Sequence, residues 1–443
     1  GFLGKSLPQT PREAAALSYS ATGPEAHETG EARRQNAVSI LLLLLTILAF
    51  AIRFCVSPEM MNQVMEYTTK YGSFYEKLHL GTYAIFLLLP VMLLSRPIYL
   101  VGDDIRRFKD LLRYTILLAP MIVLMLAVGR SSAAGLLLDT YLIAGAAGLI
   151  VLSMPPQLRR IVGDAVLWMS LISAVMGIIE FATRTRLSPY VLNEETFRPT
   201  GLTDHPLTLG LMCAASIAFV LLTSWKPWLK IVAIGILFIG TATAGARFAL
   251  LLASAEIVAA VLLVPWTKLS PRHERQAKLA VLLIVAVLGV ALFAVLAAGG
   301  ALTRFSGGIV DQNFFARTDI YKIFGMVSWR DIVFGADLDA ILKIVNEKLN
   351  LPYIESAPVF LTFLFGAPLA IGLAILVFWL YLRMLRHVGM PAWIGTAVFF
   401  TAALSNNTLS SRTPVLAIFL VLIVAYAAPK RAEKLTPRAS ATP

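Results

Sequence analysis

Long apolar segments recur along the chain, and they limit its possible folds more than any other feature. A helix that crosses a hydrocarbon core of about 30 Å needs about 20 mainly apolar residues. Twelve segments approach this length, at approximately 37–56, 78–100, 114–129, 134–153, 161–182, 206–223, 230–244, 247–265, 279–300, 361–382, 391–405 and 414–428. The sequence therefore predicts an all-α, polytopic membrane protein with about 12 transmembrane helices.

Composition excludes the soluble classes. Hydrophobic residues make up 58% of the chain and charged residues 14%, against about a quarter charged in soluble domains. A net charge of +12 would suggest nucleic acid in a soluble protein, but in a membrane protein the placement of the charges matters more than their sum. Cys55 and Cys213 lie in or beside apolar segments, so neither a disulfide framework nor a cysteine metal site is expected.

The placement of basic residues predicts the orientation. A cytoplasmic amino terminus puts 23 of the 38 Lys and Arg residues into the terminal tails and one set of loops, and positive charge in short loops is retained inside. We therefore expect a flexible cytoplasmic tail at 1–36, a transmembrane catalytic domain at 37–428 and a basic cytoplasmic tail at 429–443. Residues 57–77, 183–205 and 301–360 then lie outside.

The long connection at 301–360 contains a predicted helix. Its apolar residues recur every three or four positions, which is typical of a surface helix. They are Leu338, Ile341, Leu342, Val345 and Leu349. Such a helix either lies on the membrane, packs on the protein, or acts as a mobile gate.

Arginines are unusually frequent near the outer helix ends. They are Arg184, Arg186, Arg198, Arg247, Arg304, Arg317, Arg330 and Arg412. The guanidinium group matches phosphate oxygens and stays charged at low dielectric, so an anionic ligand is one explanation, and pairing with lipid headgroups or carboxylates is the other. Arg247 ends a run of small residues that begins at Thr241, and this break predicts a helix amino terminus, where free amides favour anions.

Two further clusters contain candidate catalytic residues. Residues 198–206 read Arg-Pro-Thr-Gly-Leu-Thr-Asp-His-Pro and predict a turn before a helix, in which Asp204 is either a helix cap or a functional group and His205 is either structural or catalytic. Glu355 stands just before an apolar segment, where an ionisable group is costly and often functional. It is either a proton acceptor or the partner of an arginine.

Other ionisable residues lie within the apolar segments. Arg53, Asp139, Asp164 and Glu180 fall near predicted helix ends, where water or snorkelling can solvate them. Glu256 lies deeper, and we expect it to accept a hydrogen bond or to line a polar cavity. The spacing of the aspartates at 311–339 matches no metal site, and no nucleotide-binding loop is present, so neither metal nor cofactor is expected.

The clusters, in this order, resemble those of the bacterial O-antigen polymerase and O-antigen ligase family of membrane glycosyltransferases. The resemblance covers roughly residues 185–385. The residues that carry it are Arg198, Gly201, Pro206, Arg247, Arg317, Tyr321, Phe334, Gly335, Glu355, Ser356 and the stretch from Phe360 to Gly366. It implies a periplasmic active site in the bacterial inner membrane, with Arg247, Arg198 and Arg317 binding the diphosphate of an undecaprenyl-linked glycan.

The proton acceptor departs from the family pattern. The family typically has His-Asn where this chain has Glu355-Ser356, so the resemblance implies a carboxylate acceptor, with His205 as the substitute if Glu355 is structural. We expect a polymerase of lipid-linked repeat units of a surface or extracellular polysaccharide. The alternatives are a ligase that transfers glycan to lipid A core and, in another class, a transporter. Expected partners are the lipid-linked glycan, its acceptor, membrane lipid and other polysaccharide assembly proteins, without nucleic acid.

Overall fold

The computed structural model describes residues 24–68, 78–95, 97–98, 100–190, 197–266, 270–299 and 318–427. Within these residues the chain is all-helical, without strands. Its contacts divide it into two compact units, Gly1–Leu45 and Thr46–Pro443, and every candidate site residue belongs to the second.

Every predicted apolar segment overlaps a helix. The first part of the chain contains α1 (Pro24–Cys55), α2 (Pro58–Asn62), α3 (Leu80–Leu94), α4 (Asp103–Ala127), α5 (Ser131–Leu136), a π-helix (Leu137–Leu142), α6 (Ile143–Leu152), α7 (Pro156–Thr183), α8 (Pro206–Val220) and α9 (Pro227–Thr243). It continues with α10 (Arg247–Leu263), α11 (Pro271–Ala298), a 3-10 helix (Ile320–Gly325), α12 (Trp329–Phe334), α13 (Leu338–Leu349), α14 (Ala357–Phe365), α15 (Ala367–Met384), α16 (Met390–Leu404), a 3-10 helix (Thr408–Ser410) and α17 (Val415–Tyr426). The first helix begins at Pro24 rather than near residue 37.

Six helical stretches of the described chain are long and apolar enough to cross a membrane. They are Arg33–Cys55, Asp103–Ala127, Ser131–Leu152, Pro156–Thr183, Pro271–Val295 and Ala367–Met384. Shorter apolar helices are Leu80–Leu94, Pro206–Val220, Pro227–Thr243, Met390–Leu404 and Val415–Tyr426. Length and composition thus fit a polytopic membrane protein.

The core lies around helices that are apolar on every side. All residues of α6 and α17 are buried, and the two helices pack against each other. A helix without a polar face must be surrounded by other apolar surfaces. By contrast, α4 buries only one stripe, which includes Leu111, Leu118 and Met125.

The predicted surface helix in the long connection is α13, and it packs on protein. Ile341 and Val345 on one face of α13 join a buried cluster with Ile320, Ile354 and Phe363. The stripe predicted from three to four residue spacing is therefore real. Its partners are the neighbouring 3-10 helix and α14, which ties the connection to the helices that follow it.

Candidate functional site

A single buried carboxylate shapes the turn that precedes α8. Glu180 lies in the last turns of α7 and is fully buried. Its Oε1 accepts from the amide of Leu187 at 2.8 Å, and its Oε2 accepts from the amides of Thr200 at 2.8 Å and Gly201 at 2.9 Å. Gly201 has a φ of +56°, and a Cβ there would lie 2.4 Å from the Ser173 carbonyl oxygen, so only glycine fits.

The positive charges of two arginines, Arg198 and Arg186, act on His205 at the end of this turn. His205 is the N-cap of α8, and its Nδ1 accepts from the amide of Leu207 at 3.1 Å. Burial, followed by the charges of Arg198 and Arg186, lowers the pKa of His205 from 6.5 to about 4. The Arg186 guanidinium stacks 3.9 Å from the Tyr190 ring centroid. We call Arg186 and Arg198, together with the neutral His205, the Arg-His cluster, and its positive charge comes from the two arginines.

The Arg-His cluster adjoins the small-residue break. Arg198 is 7% exposed, and its Nε donates to the carbonyl of Ala244 at 3.1 Å. This contact joins the turn to the end of α9, as a cation should at a helix carboxyl terminus. The break also packs closely on α8, because a Cβ at Gly210 would lie 2.5 Å from the Cβ of Ala246.

Arg247 is the first residue of α10 and is half-buried. The predicted helix break is therefore present, with α9 ending at Thr243 and α10 starting at Arg247. The structure brings the turn at 198–206 and the small-residue break before Arg247 together. Arg317 lies outside the described residues.

Glu355 is half-buried and lies just before α14. Next to it, the Ser356 hydroxyl donates to the Tyr321 hydroxyl at 3.1 Å, and the amide of Ala357 donates to the carbonyl of Asn406 at 3.3 Å. The segment that carries Glu355 is thus fixed to the 3-10 helix of the long connection and to the link between α16 and α17.

Close backbone contacts require glycine at two positions, Gly335 in the long connection and Gly366 between α14 and α15. Gly335 and Gly366 have φ of +79° and +86°, and a Cβ at Gly366 would lie 2.3 Å from the Val333 carbonyl oxygen. Arg130 donates to the carbonyls of Phe334 at 3.2 Å and Leu364 at 3.0 Å. This pair of glycines therefore lets α12 lie against the junction of α14 and α15.

A buried network around Asp139 was not expected. Asp139 lies in the π-helix and is 0% exposed. It accepts from the Tyr67 hydroxyl at 2.6 Å, the Thr82 hydroxyl at 2.7 Å and the His79 amide at 3.2 Å. Its carbonyl accepts from Arg53 at 2.7 Å, and Arg412 lies 3.8 Å from its carboxylate.

The expectation that water solvates these charges near helix ends was wrong for several of them. Arg53 is 1% exposed, and Asp139 and Glu180 are 0% exposed. Partners from distant parts of the chain replace the water. Glu256 fits its expected role, because it is buried and accepts from the amide of Ala218 at 3.0 Å.

A small cleft of about 20 Å³ lies between the end of α1, the start of α8 and the start of α17. Its polar lining comes from Arg53, Ser57, Thr203, Asp204, Thr208 and Thr413. We call it the Asp204 cleft. The helix cap here is His205, so Asp204 is not the N-cap that was one of its expected roles.

The carboxyl group of Asp204, which lines this cleft, interacts with the carboxyl group of Glu59. Burial and the negative charge of Asp204 together raise the pKa of Glu59 from 4.5 to about 7, against the hydrogen bonds that lower it. Burial also raises the pKa of Asp204, although Thr208 and Arg53 act against this rise. Oε2 of Glu59 is buried and has no hydrogen-bond partner among the described residues.

The described residues contain no group of three or more His, Cys, Asp or Glu side chains placed to hold a metal ion. Comparison with protein-family models, curated proteins and solved structures finds no match to this chain.

Proposed function

We propose that this protein is a glycosyltransferase of the bacterial inner membrane that polymerises undecaprenyl-diphosphate-linked repeat units of a surface or extracellular polysaccharide. Its helices would cross the membrane about twelve times, with both termini in the cytoplasm and the site on the periplasmic side. The sequence resemblance to O-antigen polymerases and ligases supports this activity, and the excess of basic residues in one set of loops supports this orientation.

One observation carries the proposal. The positive charges of Arg198 and Arg186 both act on His205, and Arg198 bonds to the break that precedes Arg247. Several guanidinium groups near one helix amino terminus favour a polyanion, because they combine full charges with free amides. A diphosphate carries the matching charge and geometry.

The transfer would proceed by direct substitution. A hydroxyl oxygen of the acceptor glycan attacks the anomeric carbon of the donor glycan, and the bond from that carbon to the diphosphate oxygen breaks. Arg247 and Arg198, with Arg317 as the third candidate, stabilise the charge on the leaving undecaprenyl diphosphate. The hydroxyl proton passes to the Glu355 carboxylate.

His205 has a second candidate role in this scheme. Because its Nδ1 accepts from the Leu207 amide, the neutral ring carries its proton on Nε2. In that tautomer it donates a hydrogen bond to a diphosphate oxygen. It becomes the substitute proton acceptor only if the Leu207 bond is released.

The proposal is tested with purified protein and defined lipid-linked oligosaccharides. We expect Arg247→Ala to lower kcat/KM about a hundredfold, the scale of one lost transition-state donor. Arg330→Ala is the matched control, because Arg330 is an exposed arginine of α12, and it should retain normal turnover. Normal polymer from a well-folded Arg247→Ala variant would contradict the proposal.

The same assay separates the alternatives. Repeat units that lengthen without added lipid A core indicate a polymerase, and transfer only onto lipid A core indicates a ligase. Movement of the glycan across vesicles without a new glycosidic bond indicates a transporter and overturns the proposal.

A further inference from the structure

A second group of arginines lies at the end of α7 that is remote from the Arg-His cluster. The start of α4 and the end of α15 meet there, and they line an open cleft with Arg106, Arg107, Arg383 and Arg386. Arg159 of α7 bonds to Asp104 at this end, whereas Glu180 holds the turn of the Arg-His cluster at the other. Arg159 and Glu180 are about 30 Å apart along α7, because each residue advances a helix by about 1.5 Å.

The aspartates at this end neutralise only part of its positive charge. Two of them are each shared by a pair of arginines, Asp104 by Arg107 and Arg159, and Asp110 by Arg113 and Arg383. One carboxylate cancels one guanidinium charge, so each of these groups keeps a positive charge. The end as a whole therefore attracts anions.

Arg386 is the arginine of this cleft that pairs with no carboxylate among the described residues. Its side chain is exposed, and its carbonyl accepts from Nη2 of Arg107 at 2.7 Å. Nε of Arg383 donates to Asp110 at 2.7 Å, so the chain around Arg386 is fixed to α4. A guanidinium group that is held in place and exposed is well suited to bind phosphate oxygens.

Exposed apolar stripes run along both helices to this cleft. On α4, the exposed Arg106 and Arg113 continue at spacings of four and seven residues into the exposed Leu117 and Leu124. On α15, a stripe at spacings of three and four residues leads to Arg386, and it consists of Ile371, Ile375, Phe378 and Leu382. Side chains at such spacings share one face of a helix. Both helices are long and apolar enough to cross a membrane, so each presents an apolar strip with positive charge at one end.

The cleft itself is small. Its volume of about 20 Å³ holds about one water molecule, so a ligand would lie over its rim rather than inside it. A soluble anion would leave the apolar strips uncovered, and an uncharged lipid would leave Arg386 without an anion. A molecule with a phosphate group and long apolar chains matches both features.

We infer that the surface where α4 meets α15 binds an anionic phospholipid, with the headgroup phosphate at Arg106 and Arg386 and the acyl chains on the two apolar strips. Basic sites between transmembrane helices are known to bind such headgroups. This inference goes beyond the proposed function, because it involves neither Arg247 nor Glu355 and requires only that the two helices cross a membrane.

The test is native mass spectrometry of the full chain, released from nanodiscs that contain equal amounts of phosphatidylglycerol and phosphatidylcholine. We expect the wild-type protein to retain phosphatidylglycerol in preference to phosphatidylcholine. Arg386→Ala should lower this preference about fivefold, the scale of one basic residue at an anionic lipid surface. Arg160→Ala is the matched control, because Arg160 is an exposed arginine of α7 at the same end but outside the cleft lining, and it should leave the preference unchanged.

Three outcomes would overturn the inference. The first is equal retention of the two phospholipids by the wild-type protein. The second is an equal loss of preference in Arg386→Ala and Arg160→Ala, which would indicate a general attraction to the charged end and no specific site. The third is release of phosphatidylglycerol by inorganic phosphate, which would assign the arginines to a soluble anion. None of these outcomes bears on turnover of lipid-linked oligosaccharides, so failure here leaves the proposed function to its own test.

Discussion

The two ends of the helices use buried charge differently. At the end that carries the start of α4, acids of α4 pair with bases of the same helix and of other helices. Asp104 accepts from Arg107 at 3.0 Å and from Arg159 at 2.7 Å, and Asp110 accepts from Arg383 at 2.7 Å. These pairs connect α4 with α7 and α15.

At the opposite end of α7, acids organise the backbone instead. Glu180 accepts from three amides, while Arg53, Arg130 and Arg198 donate to main-chain carbonyls. Arginines that bond to carbonyls keep their full positive charge, whereas arginines that pair with aspartates are partly neutralised. The comparison teaches that an anion site depends on how the arginines are bonded, and a count of arginines alone would not find it.

The largest effect on stability should come from the paired end. Asp104→Ala leaves Arg107 and Arg159 buried without their common carboxylate, which costs about 3–5 kcal/mol. Asp103→Ala is the control, since Asp103 pairs at 3.8 Å with Arg106 and at 2.7 Å with His387, both of them exposed side chains, and such pairs contribute about 0–1 kcal/mol each. Unfolding in mixed micelles measures the free energy of unfolding of both variants. Turnover per folded molecule of Asp104→Ala should be unchanged. A specific loss of turnover in this variant would contradict the assignment of the paired end to stability and of the opposite end to activity.

A smaller loss of stability, but a larger loss of activity, is expected from Glu180→Gln. The amide nitrogen of Gln cannot accept from the backbone amides, so the variant loses either the bond from Leu187 or both bonds from Thr200 and Gly201, at about 2–3 kcal/mol in total. Turnover should fall about tenfold or more through displacement of Arg198. Glu256→Gln is the matched control, because Glu256 accepts only from the Ala218 amide among the hydrogen bonds found for it. Equal activity of the Glu180→Gln and Glu256→Gln variants would show that Glu180 does not position the residues of the site.

The smallest effect is a pH dependence of stability. The pKa of His205 is about 4 in the folded chain against 6.5 for a free histidine, so the unfolded chain binds a proton between these values that the folded chain does not. Stability from His205 is therefore complete above about pH 6.5 and is lost as the pH falls toward 4. Protonation of Glu59, whose folded pKa is raised, acts in the opposite direction.

The His205→Asn variant isolates this contribution. Asn keeps an acceptor at the cap position of α8, but it does not titrate. Its melting temperature should fall less steeply than that of the wild-type protein between pH 7 and pH 5, a range about the free-histidine pKa. His79, whose pKa burial lowers to about 3, supplies a residual slope in both proteins. Identical slopes would mean that burial and the two arginines do not lower the pKa of His205 in the folded protein.

The helices were predictable because their signal is local. Each apolar segment, the break before Arg247 and the stripe of α13 can be read within about 20 neighbouring residues. The adjacency of the Arg198 turn and the Arg247 break was implied only by family resemblance. The structure gives its cause in the bond from Arg198 to Ala244.

The buried polar network could not be predicted in the same way. Asp139 is bonded to Tyr67 and Thr82, 72 and 57 positions away along the chain, so no local pattern marks it. Glu180 looks like a helix-end residue until the amides of Thr200 and Gly201 are placed beside it. In each case groups from distant parts of the chain replace the water that the sequence suggested.

The most direct test of the central claim is binding of undecaprenyl diphosphate, measured by native mass spectrometry of the protein released from nanodiscs. We predict that the wild-type protein and Arg330→Ala retain undecaprenyl diphosphate in preference to undecaprenyl monophosphate, and that Arg247→Ala loses this preference. Equal retention of the two lipids by the wild-type protein, or an unchanged preference in Arg247→Ala, would contradict a diphosphate site at this end of the helices.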